Sequence, residues 1–174
     1  MWLANRSLNS SKCRFGACNV ENMYKVNILN TELFLDQTAL NFFNIAFKLC
    51  PNPTKIKCTK DDLSDYRVVW DGESVKDLAD GSKISADIWQ AKLQKINKFK
   101  DDFLSNKIQE TTILIVKDSK RKERLIIDGI HRSVGFYKAL LEDKNVEKST
   151  NFQAIFFESG KINEMGDYQR IFGQ

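Results

Sequence analysis

The residues whose types and spacing suit chemistry stand together at Asp128-Gly129-Ile130-His131-Arg132-Ser133. His131 is the single histidine of the chain. An arginine fork grips phosphate or carboxylate through paired hydrogen bonds. An imidazole beside it can hold or pass a proton near neutral pH, and an aspartate can orient either group. Gly129 lets the chain turn tightly. Upstream, Arg124-Leu-Ile-Ile-Asp128 is an apolar, β-rich run; downstream, helical spacing begins, with Val134, Tyr137 and Leu141 expected on one face. His131, Arg132 and Ser133 therefore fall where a helix starts, and a helix start presents backbone N–H groups and a partial positive charge to anions. Strand, Asp-Gly turn and His-Arg on a helix start describe a phosphate-handling corner. The competing reading is a structural β-to-α turn in which His131 and Arg132 satisfy carbonyls and carboxylates.

Other elements must hold that corner in place. Thr111–Val116 is a nearly continuous, β-branched apolar run, the pattern of a buried strand. Ser85 can cap a helix whose apolar face carries Trp89, Leu93, Ile96, Phe99 and Phe103 and whose polar face carries Lys92, Lys95, Lys98 and Lys100. Tyr66–Trp70 reads as a strand stopped by Asp71-Gly72, and Asn151–Glu158 as the last strand. Earlier, Tyr24–Leu29 and Leu33–Leu35 read as strands. Asp36 caps a helix through Leu40, Phe43 and Phe47 that Pro51-Asn-Pro53 ends. The aromatic cluster at Phe42, Phe43 and Phe47 is expected in the core. Residues 54–65 and 143–150 are charged and read as loops, residues 1–22 as an arm, and residues 159–174 as a tail with Tyr168, Ile171 and Phe172.

Ile-Ile-Asp-Gly-Ile-His-Arg leading into a helix resembles the D-G-x-H-R signature of the ParB/sulfiredoxin superfamily. In that family an amphipathic helix and a short strand precede a β-hairpin that delivers the motif. Here Ser85–Ser105, Thr111–Val116 and the turn before Glu123–Asp128 follow the same order. The resemblance covers roughly residues 66–158. It implies an α+β fold, a small mixed sheet with packed helices. Residues 61–174 would form the phosphate-binding domain, with residues 1–60 an extension of unknown role packed on the body, the whole expected as one compact domain. A strand before the amphipathic helix lies near the corner in that fold. Glu73, just past Gly72, is therefore a candidate base or metal ligand; a solvated turn is the alternative.

The family uses this corner for several chemistries. Sulfiredoxins bind ATP there and need a cysteine directly before His-Arg. This chain has Ile130, so sulfinic-acid repair is not expected. ParB partition proteins bind CTP and add a helix-turn-helix region, for which the roughly forty residues after Arg132 are too few. Free-serine kinases of the superfamily keep the motif and move phosphate from a nucleotide to a small molecule. The leading expectation is thus a nucleotide-binding phosphoryl-transfer or nucleotide-hydrolysing enzyme. Gly129, Arg132 and the backbone around His131–Ser133 would hold the phosphates of ATP, ADP or CTP. His131 would donate a hydrogen bond or proton to the transferring group. Asp128 would orient His131 or a water on Mg²⁺, an ion that neutralises phosphate charge. The alternative is a nucleic-acid-binding protein or nuclease without a helix-turn-helix region. Its footprint would extend over Lys117, Lys120, Arg121 and Lys122 and the lysine face of residues 92–100. A corner that has lost its chemistry, in a protein acting through partners, stays in reserve.

Composition narrows the class without choosing among these. Hydrophobic residues make up 42% and charged residues 29% of the 174, which fits one globular core and not a disordered chain. The net charge of +4 is compatible with nucleotides or nucleic acid and demands neither. No apolar run approaches the ~18 residues of a membrane span, and no secretory signal is read, so a cytoplasmic location is the expectation. Cys13, Cys18, Cys50 and Cys58 are spaced unlike common zinc pairs. Reduced thiols are expected, with a metal site or disulfides as alternatives.

Overall fold

Alternation of apolar and polar residues shapes the first elements. In the computed structural model, which describes residues 23–68, 72–81, 86–118 and 123–160, β1 (Tyr24–Ile28) and β2 (Thr31–Leu35) form an antiparallel hairpin. Val26, Ile28, Leu33 and Leu35 turn inward, and the residues between them turn outward. Leu29 and Asn30 both take positive φ, 48° and 57°, as a two-residue turn between twisted strands requires. Asp36 caps α1 (Gln37–Leu49), its carboxylate accepting from the Ala39 N–H at 2.8 Å. Phe42 and Phe43 are buried, and Phe43 meets Phe157 edge-on with ring centres 5.8 Å apart. Phe47 stacks on Phe43 against the same core.

The stretch 54–65, read as loop, instead holds two short elements. β3 (Thr54–Lys57) pairs antiparallel with β7 (Asn151–Ser159), and α2 (Lys60–Ser64) is closed by a Thr59–Asp62 capping box. β3 is an edge strand with all four residues exposed, so no apolar alternation announces it. The main sheet runs β3-β7-β5-β6-β4, with β4 (Arg67–Val68), β5 (Glu110–Asp118) and β6 (Arg124–Asp128). β5 is parallel to β7 and antiparallel to β6, and β4 is parallel to β6. This mixed sheet with packed helices is the α+β architecture expected. Residues 111–116 are buried at its centre. β3 belongs to this sheet, and the hairpin and α1 share one core with the other described elements.

The helices cover the sheet. Ser74 caps α3 (Val75–Asp80), a helix too short for periodicity to reveal, and Gly81 closes it at φ 80°. α4 (Ala86–Leu104) crosses α5 (Ile130–Glu142) closely at Gly135. A Cβ there would stand 2.7 Å from the Phe99 Cβ and 2.9 Å from the Ile96 carbonyl oxygen. Phe136 stacks on Phe152 at 4.4 Å and meets Phe103 at 5.0 Å, contacts that add to the area they bury. Val134 and Tyr137 are buried as expected, but Leu141 is exposed. With α4 and α3 both packed on α5, the buried arc runs through Phe136 and Leu140 instead. Residues 143–150, also read as loop, contain one helical turn, α6 (Val146–Ser149).

No described helix is long and apolar enough to cross a membrane. Cys50 and Cys58 carry free thiols. Residues 1–22 with Cys13 and Cys18, Trp70 and Asp71, Ser85, Lys120, Arg121 and Lys122, and the tail with Tyr168, Ile171 and Phe172 lie outside the described residues.

Candidate phosphate-binding site

The corner begins with a slip in strand register. Ile115 of β5 faces Ile126, yet the next residue back, Leu114, faces Asp128. Ile127 is therefore an extra residue on β6, a β-bulge that turns the following side chain to a new direction. Leu125, Ile126 and Ile127 all enter the core, and Asp128 emerges at the strand end, 20% exposed.

Gly129 then takes φ 91° and ψ 19° as the residue before α5, and no side chain caps that helix. A Cβ on Gly129 would overlap the Ile113 side chain and stand 3.2 Å from Arg132 Nη2, in a backbone conformation that L residues rarely adopt. Glycine is needed here twice over. The first bond inside α5 runs from the Ser133 N–H to the Gly129 carbonyl at 2.9 Å. Ile130, His131 and Arg132 precede it, in the stretch where a helix offers donors to an anion. Ser133 leaves the expected set. It is fully buried, its N–H is spent on that bond, and its hydroxyl donates to the same carbonyl at 3.0 Å, the back-bonding habit of serine in helices.

Arg132 is anchored at two points. Its Nη2 donates to Asp128 Oδ2 at 2.7 Å, and its Nη1 to the Thr111 hydroxyl at 3.4 Å. Asp128 thus orients Arg132, where sequence reading had assigned it to His131 or a metal-bound water. Burial pushes the Asp128 carboxyl above the usual carboxylate range. The Arg132 guanidinium opposes that rise, the charge of Asp36 adds to it, and the Gly129 backbone N–H opposes it.

His131 is half-buried. Its pKa is pushed down to about 4, first by burial and then by the charges of Lys95, Lys92 and Arg132. At neutral pH the ring is neutral, and two lysines of α4 bring positive charge to the corner. The polar face of that helix was read mainly as solvated; Lys100 instead bonds Glu142 at 2.8 Å. The charges of Lys92 and Lys95 act on His131 because α4 packs against α5, a proximity no sequence pattern carries. Asp36 was legible as a cap and not as a neighbour of Asp128.

Glu73 is held beside β4. Its carbonyl accepts from the Val68 N–H at 2.9 Å, which places it along β4, with β4 standing beside β6 in the sheet. Asp128 and Arg132 take each other and Thr111 as partners. Two members of the basic turn are engaged locally: Lys117 pairs with Glu158 at 3.1 Å, and the Arg124 guanidinium lies 5.6 Å from the Tyr66 ring centre.

Among the described residues, no group of three or more His, Cys, Asp or Glu side chains could hold a metal ion. Asp128 Oδ2 is bonded to Arg132. No family model, curated protein or solved structure matches this chain.

Proposed function

We propose that this corner binds the phosphates of a nucleotide and serves a phosphoryl-transfer or nucleotide-hydrolysing enzyme of ParB/sulfiredoxin-like type. The observation that carries the reading is the junction itself. A bulged strand ends in a left-handed glycine that opens a 13-residue helix with no side-chain cap, beside an arginine already oriented by a carboxylate. Arg132, Lys92 and Lys95 supply positive charge around that helix start, which suits a polyphosphate.

In this reading the neutral His131 ring donates one hydrogen bond to a phosphate oxygen. Mg²⁺ would arrive on the nucleotide, held by phosphate and water oxygens, as this ion commonly is. Of the basic residues behind the nucleic-acid reading, Lys117 pairs with Glu158, and Lys120, Arg121 and Lys122 lie outside the described residues.

A thermal-shift panel with ATP, ADP, CTP and GTP, with and without Mg²⁺, tests the reading. A ligand that binds only the folded state raises the melting temperature. One or more nucleotides should stabilise the wild type and fail to stabilise Arg132→Ala. If none shifts the wild type, the nucleotide reading is withdrawn.

A further inference from the structure

We propose that Thr111 is a positioning residue for Arg132, the second anchor that fixes the plane of its guanidinium for a phosphate ligand. This rests on the reading of the corner as a phosphate site. An arginine side chain has several rotatable bonds, and ordering it when a ligand binds costs affinity. A single contact to Asp128 leaves the guanidinium free to swing about that bond. The Thr111 hydroxyl meets it at the other terminal nitrogen, from a different element, and so sets its orientation.

The anchor itself is rigid. Thr111 is 8% exposed and sits in β5, paired with Phe152 of β7 in a nine-residue parallel ladder. Ile113, two residues on and therefore on the same face, is the side chain that crowds Gly129. One face of β5 thus supports both the turn and the arginine that leaves it. The missing Cβ of Gly129 keeps open the space beside Arg132 Nη2. Of the five guanidinium donors, one goes to Asp128 and one to Thr111 among the described residues, and the proposal assigns the others to phosphate oxygens.

The test uses the full chain as wild type, Thr111→Val, Thr111→Ser and the control Thr112→Val, with inorganic triphosphate as a base-free probe. Thr112 is equally buried in β5 and faces the other side of the sheet. Without ligand, the Arg132 side-chain N–H resonance, assigned with Arg132→Lys, should be sharp in wild type, Thr111→Ser and Thr112→Val. It should broaden in Thr111→Val. Calorimetry should show triphosphate binding weakened about tenfold in Thr111→Val and within about twofold of wild type in Thr111→Ser, the scale of one hydrogen bond to a charged group. An unchanged arginine resonance together with unchanged affinity in Thr111→Val overturns the proposal alone. If the wild type binds no triphosphate, the phosphate reading falls and takes the proposal's ligand with it.

Discussion

Gly81 and Gly129 adopt nearly the same backbone, φ 80° and 91°, at the end of α3 and the start of α5. Around Gly81 a Cβ would meet nothing within 4 Å. Around Gly129 it would collide with Ile113 and crowd Arg132. The first glycine only lets a helix stop, as left-handed residues commonly do. The second lets a strand, a neighbouring strand and an arginine converge on one point. Similar dihedrals serve a terminator in one place and the proposed site in the other, and the surroundings separate the two roles.

Alanine substitutions should widen that contrast. Gly129→Ala combines the left-handed penalty with overpacking against Ile113, together roughly 3 kcal/mol, and should abolish nucleotide binding as Arg132 is displaced. Chemical denaturation and nucleotide titration of the same samples check both effects. Gly135→Ala should cost about 2 kcal/mol by overpacking and weaken binding in part, because it pushes Lys92 and Lys95 of α4 away from the corner. Gly81→Ala should cost only about 1 kcal/mol and leave binding unchanged. Equal losses at Gly81 and Gly129 would remove the distinction.

His131 sharpens the contrast through pH. Its folded pKa, near 4, lies below the ordinary histidine value, so the unfolded chain takes up the proton first as pH falls. Stability from this group is therefore full above about pH 6.5 and is lost as pH drops toward 4, by on the order of 3 kcal/mol. Asp128, raised by burial, works in the opposite sense: the folded state protonates it first, and the stability this adds is lost as pH rises through its folded value. The difference between wild type and His131→Gln isolates the histidine. A resonance titration of the ring should give a midpoint near 4; a midpoint near 6.5 would mean the lysines and the burial do not act on it.

Much of the corner was legible in the sequence. An apolar run, Asp-Gly and a switch to helical spacing announce β6, Gly129 and α5, and the type and spacing of His131 and Arg132 announce their place. The bulge at Ile127 was not legible, because register is set by the partner strand. β3 escaped notice because all its side chains are exposed, and α3 and α6 because one or two turns carry no period. Thr111 meets Arg132, and the charges of Asp36, Lys92 and Lys95 act on the corner, across long sequence separations that packing closes. Ser133 was read by position alone, which could not show that burial and two bonds to Gly129 had claimed it.

The most direct measurement is an amide-resonance titration of the isotopically labelled protein with Mg²⁺-bound ATP. Saturable shifts centred on Gly129–Arg132 and on Lys92 and Lys95 are expected, and Arg132→Ala should remove them. Saturable shifts elsewhere with the corner silent would contradict the assignment of this junction as the phosphate site.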